Sequence, residues 1–147
     1  MNAKSLYHTT VTNKDGLVGE SYVEGNEGLA LGVSSSLVDA PGTNPEQFIG
    51  FALSTCFNAT LQIVEKRHHI VPDTEISTRV DILKDTVGYK FDVSAKIIFR
   101  DTDYGTAQPL VDEALDECPV AKLLKDNENV KFIIVGGPDD SATTFGE

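Results

Sequence analysis

Asn44-Pro45-Glu46-Gln47-Phe48-Ile49-Gly50-Phe51-Ala52-Leu53-Ser54-Thr55-Cys56-Phe57 is the stretch on which the fold turns. Asn44 can cap orphan N–H groups, Pro45 suits a first helical turn, and Gln47 can reach back as in a capping box. The predicted helix runs on to about Arg67. From Phe48 to Phe57 it is apolar or small all round, and a helix of that kind is buried on most of its sides. It is therefore expected to be the central helix of the domain.

Upstream of it, Leu6 to Thr12, Leu17 to Val23 and Gly28 to Val33 read as strands. Asn13-Lys14-Asp15-Gly16 and Glu24-Gly25-Asn26-Glu27-Gly28 supply the turns, since Asn, Asp and Gly tolerate the positive φ of tight hairpins. Ser34 to Gly42 is small and polar and reads as a loop. Downstream, Pro72 ends the helical region. Ile76, Thr78, Val80 and Ile82 alternate with polar residues, as do Phe91, Val93, Ala95, Ile97 and Phe99, which predicts an antiparallel hairpin joined around Lys84 to Gly88. A second helix begins near Thr106, with Leu110, Val111, Ala114, Leu115 and Cys118 at helical spacing. Pro119 should break or kink it, opening a short segment from Pro119 to Lys125. Val130 to Val135 is a last apolar strand. The order β-β-β-α-β-β-α-β defines one α+β domain over residues 1–135, followed by an acidic, Gly-rich tail, 136–147, expected to be mobile.

The chain has 147 residues, a length that suits a single core. Its formal net charge is −11, from 12 Lys+Arg and 23 Asp+Glu. Such a chain repels phosphate backbones and anionic lipid surfaces, so neither nucleic acid nor membrane is an expected partner. The first residues lack the apolar core of a signal peptide, and no apolar run is read as membrane-spanning; a soluble cytoplasmic protein is expected. In that compartment the two cysteines, Cys56 and Cys118, are either buried or reactive rather than a structural disulfide.

Each cysteine read alone is a small buried hydrophobe. Two features raise a chemical reading. Cys118, opening a helical segment, would have its thiolate favoured by free N–H groups, and two cysteines on packed helices could form a transient disulfide. The acidic cluster Asp112, Asp116 and Glu117 works against a thiolate at Cys118, which suits a resolving thiol better than an attacking one. Glu46 fits simple dipole compensation at a helix N-terminus. Ten residues separate it from Cys56, roughly 15 Å along one helix. Only a bend or a second, antiparallel copy of the helix could bring the two together, as a symmetric dimer would. His68-His69 and His8 show no metal-ligand spacing. Asp101 to Gly105 begins like a calcium loop but lacks its glycine and its closing glutamate. Neither a metal nor a cofactor is expected.

Gly42-Thr43-Asn44-Pro45-Glu46-Gln47, then Ser54-Thr55-Cys56-Phe57, then Cys118-Pro119-Val120, resembles the OsmC/Ohr family of thiol peroxidases, the osmotically inducible and organic hydroperoxide resistance proteins of the stress response. The resemblance covers roughly Leu6 to Val135. It implies an intertwined homodimer with active sites at the subunit interface, Cys56 as peroxidatic cysteine, Cys118 as resolving cysteine, and Glu46 as the glutamate that orients a catalytic arginine. That arginine's usual place falls on Lys14, a departure that keeps the charge but loses the planar fork. Cys118 to Ala121 is more like OsmC, whereas Asn44 to Phe57 is more like Ohr.

On that resemblance the expected function is reduction of organic hydroperoxides to alcohols through a Cys56 sulfenic acid and a Cys56–Cys118 disulfide, reopened by a dithiol reductant such as a lipoyl-type one. Lys14, assisted by Glu46, would lower the pKa of Cys56. Phe48, Phe51 and Phe57 could shape an alkyl pocket or simply pack the core. Two other classes stay open at this point: a non-catalytic or weakened binding or structural member of the same family, and a hotdog-type acyl thioesterase, for which no catalytic carboxylate sits mid-helix where one would be needed.

Overall fold

The computed structural model describes residues 4–25 and 28–136. The chain divides into two compact units, Met1–Pro45 and Glu46–Glu147. In the first, β1 (Val11–Asn13), β2 (Gly19–Val23) and β3 (Ala30–Val33) form an antiparallel sheet in that order. These strands are shorter than the alternation suggests. Val11 pairs with Val23, the last residue of β2, and the ladder ends just beyond them, where Thr10 O accepts from Glu24 N at 2.8 Å. The β1–β2 turn closes as expected: Asn13 Nδ2 donates to Gly16 O at 2.9 Å, Gly16 N donates to Asn13 Oδ1 at 2.8 Å, and Gly16 has φ +69°. The expected β2–β3 turn includes residues 26 and 27, which lie outside the described residues, as do 137–147 of the predicted tail.

The second unit holds α1 (Pro45–Arg67), β4 (Thr74–Lys84), β5 (Tyr89–Phe99), α2 (Tyr104–Glu117), α3 (Pro119–Leu123) and β6 (Val130–Val135). β4 and β5 make the predicted hairpin, turned by Asp85 N donating to Gly88 O at 3.0 Å with Gly88 at φ +71°. β6 joins β5 in parallel, which needs a crossover; α2 and α3 provide it. Alternation then places Val93, Ala95, Ile97 and Phe99 of β5 in the core, with Leu53, Phe57, Leu61 and Val64 of α1 and Ala107, Leu110, Val111 and Ala114 of α2. The α+β expectation holds, with two three-stranded sheets. The segment from Asp101 to Gly105 is a helix start: Asp103 Oδ1 accepts from Thr106 N at 3.0 Å, capping α2.

α1 departs from expectation in one respect. It is not buried on most sides; a single stripe, Leu53, Phe57, Leu61 and Val64, has no exposed surface. The opposite face shows Phe51 at 70% and Ile63 at 58% exposure, along with exposed Ala52, Thr55 and Ala59. An all-round apolar sequence therefore meets the core on one side only within the chain. By length and composition α1 could cross a membrane, with mean hydropathy 1.2 in its most apolar window. Its polar side chains instead dock on β4: Ser54 and Thr78 hydroxyls are 2.7 Å apart, and Thr74 Oγ1 donates to Asn58 Oδ1 at 2.8 Å.

Glu65 interrupts the apolar stripe and is fully buried. Its Oε1 lies 3.1 Å from Thr74 Oγ1, and its Oε2 accepts from Asp73 N at 3.4 Å. Burial pushes this carboxyl up to about 7, and the Asp73 side chain adds to the rise. Asp73, despite partial burial, is held below the usual carboxylate range by hydrogen bonds from Glu65 and from Asp101 and Thr102. The two groups act oppositely on stability. Glu65 has its folded pKa raised, so its contribution is complete below the unfolded value and is lost as pH rises through about 7. Asp73 has its folded pKa lowered, so its contribution is lost as pH falls. Urea unfolding between about pH 5 and pH 8 should show a wild-type loss of order 2 kcal/mol that Glu65→Gln removes, while the acid limb persists. An unchanged alkaline limb in Glu65→Gln would show that Glu65 is not its source.

Candidate active site

Pro119 builds the site's centre. The residue before a proline is pushed out of helical backbone, and Cys118 has φ −67° and ψ 120°. It thus ends α2, donating its N–H to Ala114 O at 2.8 Å, and caps α3, its Sγ accepting from Ala121 N at 3.5 Å. Cys118 is fully buried and Cys56 half-buried; both thiols are free, and their sulfurs are 3.6 Å apart. Cys56 lies on the flank of α1 beside the buried stripe, where Thr60 Oγ1 donates to its carbonyl at 3.0 Å.

The electrostatics around Cys56 are uneven. Burial is the largest influence and pushes its thiol above the ordinary value; the Val120 N–H opposes that, and the adjacent Cys118 thiol adds to the rise. Left to these groups, Cys56 is mostly protonated at neutral pH. The pair can close into a disulfide, since two sulfurs already in contact need approach only to about 2.05 Å. Efficient thiolate chemistry there calls for a cation.

Glu46 sits in the first turn of α1, and its Oε2 is buried with no hydrogen-bond partner among the described residues. It lines a cavity of about 370 Å³ with Gln47, Gly50, Phe51, Ser54, Thr78 and Val80. Ten residues along α1 separate Glu46 from Cys56 by roughly 15 Å and about 80° of rotation, so the helix itself keeps them apart. Lys14 is exposed on the β1–β2 turn of the first unit. The three phenylalanines part company. Phe51 lines the cavity, Phe48 is half-buried, and Phe57 is fully buried with its ring 5.3 Å from that of Phe132. Phe57 is thus a core residue and not a cavity wall, because its ring packs against Phe132 of β6.

Sequence reading gives no role to Val120 or to Arg67. Val120 acts through its main chain, which no side-chain motif signals. Arg67 ends α1 and reaches Glu113 and Glu117 of α2. The glutamate pair four residues apart is the signal that could have pointed to a shared cation.

A family model described as OsmC-like protein matches residues 38–133. The organic hydroperoxide resistance protein OhrB of Bacillus subtilis (strain 168) is 37% identical over 93 residues, 62% of this chain and 68% of the relative. The organic hydroperoxide resistance protein-like 2 of Staphylococcus epidermidis (strain ATCC 12228) is 27% identical over 136 residues, covering 88% and 96%. The crystal structure of Bacillus subtilis OhrB superposes with a TM-score of 0.80 at 30% identity, covering 88% of this chain and 99% of that one.

The sulfur geometry has a direct check. Treating the reduced protein with diamide should give an intrachain disulfide, read as loss of two hydrogens in the intact mass and of both alkylatable thiols. Cys118→Ser should abolish it. A product that is only a disulfide between chains would contradict the 3.6 Å approach.

Proposed function

Because the chain belongs to the OsmC-like protein family, we propose that it is a cysteine-based thiol peroxidase reducing organic hydroperoxides to alcohols. The observation that carries this reading is the 3.6 Å approach of two free thiols, one half-buried and one fully buried. Cys56, the more accessible sulfur, attacks the distal oxygen of ROOH as a thiolate. The O–O bond breaks, the alkoxide takes a proton and leaves as ROH, and Cys56 becomes a sulfenic acid. The Cys118 thiol attacks that sulfur, expelling water and forming the disulfide. A dithiol, of lipoyl type on this reading, restores both thiols by exchange and itself becomes a disulfide. The two electrons come from the thiols, so the reaction calls on no metal or cofactor.

The raised thiol of Cys56 sets the requirement for a cation. Lys14 fills that role on this proposal, with Glu46 orienting it; the buried Oε2 of Glu46, without a hydrogen-bond partner among the described residues, supports this reading. A homodimer supplies the geometry that one helix denies. The exposed apolar face of α1, from Phe51 to Ile63, would be covered by an antiparallel copy, bringing Glu46 of one chain towards Cys56 of the other. Phe51 and Val80 line the cavity beside Glu46 and would accept an alkyl chain. The proposed setting is the cytoplasm, where thiols stay reduced.

Lysine in place of arginine favours one competing reading, a weakened or purely binding member of the family. Consumption of cumene hydroperoxide by the dithiol-reduced protein separates the two. The peroxidase proposal expects turnover that Cys56→Ser abolishes and that Lys14→Met slows by about 10²-fold, the usual cost of removing a charge stabiliser. Turnover untouched by Cys56→Ser would end it, and no turnover in the wild type would leave the binding reading.

A further inference from the structure

We propose that Arg67 is a positioning residue, clamping the last turn of α2 to α1 through Glu113 and Glu117 so that Cys118 Sγ stays within reach of Cys56 Sγ. The proposal rests on the peroxidase reading only in treating the Cys56–Cys118 disulfide as an intermediate. Arg67 lies eleven residues after Cys56 on α1, which at about 100° per residue puts both on one face of the helix. Its guanidinium takes Glu117 in a fork, Nη1 donating to Oε1 at 2.6 Å and Nη2 to Oε2 at 3.1 Å. Nη1 also donates to Glu113 Oε1, whose other oxygen is 2.7 Å from His68 Nε2. His68 and then Arg67 hold the Glu113 carboxyl below the usual range, and Arg67 does the same for Glu117.

The fully buried anchoring of α2 stops short of its last turn, where Leu115 packs only partly buried against the core. Ala107, Leu110, Val111 and Ala114 are buried, but none of residues 115–117 is. That last turn would fray if left to itself. Glu117 is its final residue and Cys118 the next, while Pro119 interrupts the main-chain ladder and α3 is only five residues long. Cys118 is seated in the core, so what a hold on Glu117 adds is the fine placement of the turn that delivers its sulfur to Cys56. Arg67, Glu113 and Glu117 keep 46%, 31% and 39% of their side-chain surface exposed, so one such pair would count for little. The shared guanidinium and its planar fork are what make the group directional.

The test reads the thiol–disulfide equilibrium of the pair in reduced and oxidised dithiothreitol, quantified by alkylation and mass. Two thiols give two electrons and two protons to the cyclic disulfide, which becomes the dithiol, so no peroxide is involved. Arg67→Met and Glu117→Gln should each lower the equilibrium constant for the Cys56–Cys118 disulfide by about three- to tenfold. The double variant should fall no further than either single. Arg67→Lys, keeping the charge without the fork, should recover part of the loss. Salt of about 1 M should move the wild type towards the variants and leave the double variant unchanged. A clamp that merely stabilised the fold would lower the thermal midpoints of reduced and oxidised forms alike and leave the constant unmoved; that result, or additive losses in the double variant, overturns the proposal. Failure of the peroxidase reading would appear as absent peroxide turnover, a separate measurement from this shift.

Discussion

The rotation of α1 about its own axis governs the rest of the molecule's chemistry. Leu53, Phe57, Leu61 and Val64 lock one stripe of the helix against β5 and α2 with no exposed surface. Fully burying side chains of this size stabilises by about 1.5–3 kcal/mol each, so the four together outweigh any single polar contact nearby. Turning α1 by a single residue, about 100°, would take Cys56 off the flank that meets Cys118. It would also strip Ser54 and Asn58 from β4 and swing Glu65 away from Thr74. Core packing therefore sets the sulfur geometry.

A second constraint comes from Pro119. By forcing Cys118 into extended backbone it makes one residue both the end of α2 and the cap of α3, and buries the thiol there. The two sulfurs meet in a poorly solvated place, which explains both the easy disulfide geometry and the reluctance of Cys56 to ionise. In a chain of formal net charge −11, a cation at that place would have to be a specific provision. Hence the weight that the proposed mechanism lays on Lys14 and on the Glu46 oxygen that has no hydrogen-bond partner among the described residues.

Much of this was legible in the residues. The Asn44 to Gln47 start signal and the break at Cys118-Pro119 are local chemistry, and α1 and α3 begin where they say. Alternation in β4 and β5 and the apolar run of β6 are local signals too, and the three segments pair as one sheet. What was not legible depends on partners distant in sequence. The β1–β2 ladder ends just beyond Val11 and Val23, and residue types alone do not reveal where a neighbour stops. Phe51 and Phe57 look alike in an apolar run; only the phase of the helix sends one to a cavity and the other to Phe132 and the core. Glu65 passes for a surface residue near a helix end until its neighbours Leu61 and Val64 prove to be buried.

In the proposed mechanism Cys56 is the sulfur that meets the peroxide and Cys118 the one that resolves it. Mass spectrometry of the Cys118→Ser variant, given one equivalent of cumene hydroperoxide in the presence of dimedone, tests that most directly. The mechanism predicts one dimedone adduct per chain, on the peptide carrying Cys56, with one equivalent of cumyl alcohol released. Peroxide left intact, or alcohol formed while Cys56 stays an unmodified thiol, would contradict it.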